Sequence, residues 1–227
     1  MFQEVFRIKF SGRKQIIVFA AVIFICFIIA VKALSSVTTI FFKDDTYTVC
    51  IDPGHGGKAI GAVSKDGKRK EQDDTLALSL KIRDCLEKQG VRVVMTRDTD
   101  VDVSLEDRCK KANKAKADLF VSIHRNSSDS GTGMEVWINE NPSKEEKKLS
   151  SDILKALVDA SGMAERGVKQ GFRNSSGNNY YVNAHTNMPS CLVEVGFITN
   201  DEDNKNFDKN IDKYAQAAAD AIYKNLK

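Results

Sequence analysis

A three-layer α/β/α domain on a central, mostly parallel or mixed twisted sheet, preceded by one N-terminal transmembrane helix, is the fold that this 227-residue chain predicts. Three observations carry that expectation. Short apolar runs of strand length alternate with segments of helical period, and strands alternating with helices require a sheet covered on both faces. Residues 16–31 (IIVFAAVIFICFIIAV) run without a polar side chain. The charge is also uneven: residues 1–43 hold six Lys and Arg against Glu4, which leaves 28 basic and 30 acidic residues for the rest.

Taken in order, residues 1–14 form a basic N-terminus containing Arg7, Lys9, Arg13 and Lys14. Residues 15–34 make about 20 positions, roughly 30 Å as a helix, which matches the hydrocarbon thickness of a bilayer. The basic flank keeps the N-terminus cytoplasmic and places the rest of the chain outside the cell membrane. A cleaved signal peptide is the alternative, since Val31-Lys32-Ala33 faintly resembles a cleavage site; Lys32 and the length of the apolar run favour the anchor. Residues 35–46 read as a linker to a single domain over residues 47–227. With 42% apolar and 29% charged residues and 3 Pro in the chain, the composition is globular. The near-neutral domain excludes a nucleic-acid partner, which would need a clustered basic surface.

Within the domain, residues 47–51 (YTVCI) read as a buried strand closed by Asp52-Pro53-Gly54. A helix begins at Asp73 or Asp74, with Leu78, Ile82, Cys85 and Leu86 at helical spacing and Gly90 just past its end. Residues 91–95 (VRVVM) form a strand, and Ser104 with Asp107 opens a helix to about Ala115. Strands follow at 118–123 (DLFVSI) and 134–138 (MEVWI), a helix at 143–161 stopped by Gly162, a strand at 191–195 (CLVEV), and a last helix from about Asp208 to Leu226. The five cysteines, Cys26, Cys50, Cys85, Cys109 and Cys191, show neither metal nor scaffold spacing, and most read as small core residues. A Cys85–Cys109 pair stays open.

In open α/β sheets the working groups gather beyond the carboxyl ends of strands. His55, His124 and Glu194 all fall there, two of them among only 3 histidines. Imidazole suits zinc, and a catalytic zinc takes three protein ligands and keeps one position for water. Without clustered cysteines the third ligand is a carboxylate, and Glu71 is the natural choice; the KRKEQDD segment around it also reads simply as a solvated charge run. Glu194, a carboxylate in an apolar strand, must be paired or working. These four residues make a zinc-hydrolase hypothesis.

The segments CIDPGHGG (50–57), RKEQD (69–73), VVMTRDTDVDVSLEDR (93–108), ANKAKADLFVSIHRNS (112–127) and PSCLVEVGFITN (189–200) resemble, in order, the motifs of the zinc-dependent N-acetylmuramoyl-L-alanine amidases. The resemblance implies one Zn2+ per chain held by His55, Glu71 and His124, with Glu194 as the catalytic carboxylate. It implies peptidoglycan as substrate, cut at the amide between N-acetylmuramic acid and L-alanine, with Glu194 moving the proton from water to the leaving nitrogen. Asp52 then supports the loop or a histidine, and Gly54, Gly56 and Gly57 permit close backbone approach. Asn126 and Glu135, at the same end of the sheet, are expected either along the substrate groove or at the surface. Arg125, where the family often has a small or apolar residue, is expected to meet a stem-peptide carboxylate or point to solvent. His185 reads as surface or groove, with a metal contact as the lesser alternative. Competing readings are another zinc amide hydrolase on the same polymer, or a non-catalytic wall-binding module, which would lack one of the four site residues. Nothing in the sequence names a protein activator.

Overall fold

The computed structural model describes residues 46–173 and 178–227, together with Gly12. The expected span at 15–34 and nearly all of the linker lie outside the described residues. Among the described residues no helix is long and apolar enough to cross a membrane. Thr46–Lys227 form one compact unit.

Its elements are β1 (Thr48–Pro53), α1 (Glu71–Lys88), β2 (Arg92–Met95), α2 (Leu105–Ala115), β3 (Leu119–Asn126), β4 (Met134–Ile138), α3 (Lys144–Ser161), β5 (Glu165–Gln170), α4 (Tyr181–His185), β6 (Ser190–Phe197) and α5 (Asp201–Lys224). The sheet order is β2-β1-β3-β6-β4-β5. The first four strands in that order run parallel, β4 pairs antiparallel with β6, and β5 follows parallel to β4. The sheet is therefore mixed.

Alternation along the strands sorts side chains between two helical layers. Val49, Ile51, Val121, Ile123, Val136, Cys191 and Val193 face the larger core, where Leu78 and Ile82 of α1, Leu149 and Ile153 of α3 and Tyr214 and Ile222 of α5 cover them. Cys50, Phe120 and Leu192 face the other way, against Cys109 and Ala112 of α2 and Val182 of α4. Three layers result. Cys50, Cys85, Cys109 and Cys191 are free thiols, so the Cys85–Cys109 pair is not formed.

Helix boundaries follow local chemistry. Ser143 and Glu146 make a reciprocal capping box for α3, which ends at Gly162 with φ 70°. α5 starts at Asp201, about seven residues before its apolar stripe suggests, because the Asn200 side chain accepts from Glu202 N at 3.0 Å and Asp203 N at 3.1 Å. α1 starts at Glu71, earlier than expected, with Glu71, Asp73 and Asp74 placed where the helix dipole favours anions. β5 and α4 are elements that the sequence pattern does not announce. β5 (ERGVKQ) is a half-exposed edge strand with Val168 as its only large apolar residue.

Candidate active site

Strand β1 delivers His55 through Gly54, whose N–H donates to Ile123 O at 2.9 Å and so ties the loop to the end of β3. Strand β3 carries His124, and α1 presents Glu71 from its first residue. One carboxylate oxygen, Glu71 Oε1, lies 2.9 Å from His124 Nδ1 and 3.2 Å from His55 Nε2. Ligand atoms of these three residues all fall within 4.8 Å of one another, the one such His, Cys, Asp and Glu group among the described residues. Glu71 Oε1 also accepts from Arg125 N at 3.0 Å and Oε2 from Ala62 N at 2.8 Å. Burial alone would raise the Glu71 pKa, but the hydrogen bonds and charges of His124 and His55 outweigh it and hold the carboxyl well below the usual range. Two imidazoles and an ionised carboxylate, with both rings partly open to a cleft, are a donor set that fits a catalytic divalent metal.

His55 sits in the left-handed region at φ 61°, a conformation unfavourable for a side-chain-bearing residue. Two buried arginines hold it. Arg108 donates to Pro53 O at 2.7 Å and His55 O at 2.6 Å, and Arg97 donates to Pro53 O at 3.1 Å and Gly54 O at 2.8 Å. Thr75 on α1 adds a bond to Gly54 O at 2.8 Å. Arg108 is itself paired with Asp52 at 2.7 Å, and Asp52 further accepts from Thr96 Oγ1 and Ser122 Oγ. Asp52 therefore supports the loop through Arg108, and the structure shows it bonded to neither histidine. Arg97, Arg108 and Thr75 are not singled out by sequence reading, yet Arg108 lies one turn before Ala112 on the apolar face of α2, where a charge signals a buried partner.

Across the sheet, His124, Glu194 and Glu135 are register partners on the neighbouring strands β3, β6 and β4. Glu194 is 7% exposed, and its Oε2 is buried without a hydrogen-bond partner. Burial, followed by the negative charges of Glu71 and Glu135, pushes its pKa up to about 8, against the opposing pull of Arg173 and Arg125. Glu135 differs: although burial opposes ionisation, Arg166, Trp137 and Asn126 hold its carboxyl low. Asn126 and Glu135 thus lie on the same side as Glu194 but are buried and bonded to each other at 2.8 Å. Neither is an open groove surface.

Arg125 overturns its expectation. One step along β3 from His124 turns it to the opposite side of the sheet, where it is 2% exposed, paired with Asp74, bonded to Asn204 and stacked over Phe207. It neither lines the cleft nor reaches solvent.

The cleft beside His55 and His124 encloses about 490 Å³, and Leu105, Phe172, Tyr180, Tyr181 and Val182 form much of its wall. His185, at the end of α4, is exposed and stacked on Tyr181 at 3.8 Å, and is not a member of the metal-type cluster.

The family model described as N-acetylmuramoyl-L-alanine amidase matches residues 49–226. Among relatives, YqiI of Bacillus subtilis is 39% identical over 181 residues, which span 79% of this chain and 82% of YqiI. The N-acetylmuramoyl-L-alanine amidase LytC of the same organism is 35% identical over 179 residues, 78% of this chain but 34% of LytC. The crystal structure of N-acetylmuramoyl-L-alanine amidase from Clostridium difficile 630 superposes with a TM-score of 0.74 at 34% identity, covering 80% of this chain and 97% of that one. With the motif residues gathered at one end of the sheet and the match running through the whole domain, the chain belongs to the N-acetylmuramoyl-L-alanine amidase family.

Proposed function

We propose that this chain is a zinc-dependent amidase that hydrolyses the amide between N-acetylmuramic acid and the first alanine of the peptidoglycan stem. The observation that supports it most directly is the His55–Glu71–His124 cluster with Glu194, a buried carboxylate with one oxygen unpartnered, beside His124 on the next strand. When bound by these three residues, zinc supplies Lewis acidity towards the scissile carbonyl and makes water acidic enough to attack at neutral pH. Glu194 accepts the proton of the attacking water and delivers it to the alanine nitrogen as the carbon–nitrogen bond breaks, because an amine leaves poorly unless protonated. A carboxyl that burial has made easier to protonate suits the donating half of that task. Arg108 and Arg97 keep His55 in place, and the aromatic wall provides apolar area for sugar and peptide.

Residues 15–34 are assigned as a single-pass anchor that leaves the catalytic domain outside the cell membrane, a reading supported by the apolar run and the basic residues before it. The function is tested by mass spectrometry of peptidoglycan digested by the full chain with zinc and with a chelator. Stem peptides with a free alanine amine and glycans with an intact lactyl group are expected, and the chelator should abolish both. Cleavage inside the stem, or loss of acetyl groups, would replace this reading with an endopeptidase or a deacetylase.

A further inference from the structure

We propose that Arg173 is a specificity residue of this site, its guanidinium receiving a carboxylate of the stem peptide. The proposal rests on the amidase reading. The residue beyond the first alanine of a stem peptide is glutamyl, and its free carboxyl is present either as the carboxylate or as the carboxamide. An enzyme cutting at the alanine must pass that group along the wall of its cleft.

Arg173 follows Phe172, which lines the cleft. Its Nη2 donates to Asn126 Oδ1 and its Nη1 to Ser127 O at 3.3 Å, so two neutral oxygens at the end of β3 orient the fork. Among the described residues the nearest carboxylate, Glu135, stands 4.0 Å away. Glu135 is already engaged: Oε2 accepts from Arg166 at 2.8 Å, and Oε1 from Asn126 at 2.8 Å and Trp137 at 3.1 Å. Among the described residues this long contact with Glu135 is the one ion pair of Arg173, whose side chain is 37% exposed. The bond from Arg173 to Asn126, which itself donates to Glu135 opposite Glu194 in the sheet, puts it on the catalytic side. The neighbouring arginines are committed elsewhere: Arg97 and Arg108 to the loop carbonyls, Arg69 and Arg125 to Asp74, and Arg166 to Glu135. A planar guanidinium held by two of its donors, with no further hydrogen bond among the described residues, matches a carboxylate far better than a neutral amide.

The test uses the full chain with zinc and two muropeptides that differ only in carboxylate or carboxamide at the second stem residue. The wild type should prefer the carboxylate by about tenfold or more in kcat/KM, the range of a partly exposed charge-assisted contact. Arg173→Gln should bring that ratio close to one, and Arg173→Lys should retain part of it, with zinc content and Tm unchanged in both. A wild-type ratio near one, or an equal loss on both substrates with the ratio preserved, would overturn the proposal and leave Arg173 a strut between Phe172 and β3. Equilibrium binding of the same pair to the Glu194→Gln chain reads the ratio without turnover. A failure of the amidase reading is thereby distinguishable from a failure of the Arg173 assignment.

Discussion

A Cβ built on Gly54 would lie 2.4 Å from Cε1 of His124, so the imidazole occupies space that only a glycine leaves free. Gly61 does the same beneath Glu71, where a Cβ would come within 2.6 Å of Oε2, and it also has φ 72°. The Gly61 Cβ would also come within 2.8 Å of His55 Cδ2, so all three ligand-type residues rest on glycines. Because the obstacle at Gly54 is the ring, Gly54→Ala should displace His124 while the remote core stays packed. Zinc affinity is expected to fall by on the order of tenfold to a hundredfold, as for residues that orient a ligand. Competition with a chromogenic chelator measures this, and circular dichroism on the same sample checks the fold. Undiminished zinc affinity would mean that the ring tolerates displacement.

Arg108 joins the loop to Asp52, and both side chains are almost wholly buried. Replacing it with Leu strands the Asp52 charge and frees the His55 carbonyl, at a cost of about 3–5 kcal/mol. Burial by itself would raise the Asp52 pKa, but Arg108, Ser122 and Thr96 bring it below its ordinary 3.8. The stabilisation is therefore present above that value and lost as pH falls through the depressed one. Urea unfolding should show a large gap between Arg108→Leu and wild type at pH 7, narrowing towards pH 3. A gap independent of pH would assign the loss to the carbonyl bonds alone.

Much of this arrangement is legible in the sequence because strand ends announce themselves. CIDPGH and VSIH each place a histidine where an apolar run stops, and CLVEV marks Glu194 by the incongruity of a charge among apolar neighbours. What is not legible is orientation at long range. Arg125 invites a substrate role only until the alternation from His124 is followed one residue further, which turns it into the α1–α5 side. Arg97 looks like an ordinary surface charge, and the place of Arg108 on the apolar face of α2 signals a buried partner without naming it, since the carbonyls both arginines hold come from a loop some 40 to 55 positions earlier. β5 escapes notice because an edge strand with no fully buried residue does not need an apolar run. Arg173 likewise carries no motif; its placement depends on the return of β5 to the edge of the sheet.

The unpartnered Glu194 carboxyl makes a pH prediction for the metal-free chain. Its pKa rises from 4.5 to about 8, chiefly through burial and then through Glu71 and Glu135. Between those values the folded chain holds a proton that the unfolded chain has released. Stability should therefore decline as pH climbs from 4.5 towards about 8, then level off with respect to this group. Glu194→Gln removes that dependence, so the stability of the variant relative to wild type should improve from pH 5 to pH 8.5 in urea titrations with chelator present. A difference that stays constant over this range would show that the carboxyl titrates normally.

The same substitution separates chemistry from metal binding when zinc is present. Glu194→Gln preserves the size of the side chain and its place opposite His124 and Glu135 in the sheet, while removing the basic oxygen that would take the proton from water. The three ligand-type residues come from β1, β3 and α1 and do not include it. Zinc stoichiometry and thermal stability with zinc should then stay close to wild type, while turnover falls by on the order of 10² to 10⁴. Two other roles give different patterns. If Glu194 were a ligand, zinc would leave together with activity. If it were purely structural, the variant would melt earlier and the fraction still folded would hydrolyse peptidoglycan at the normal rate. Metal content, melting temperature and rate measured on one preparation tell the three apart, and near-normal turnover per folded molecule would remove Glu194 from the reaction.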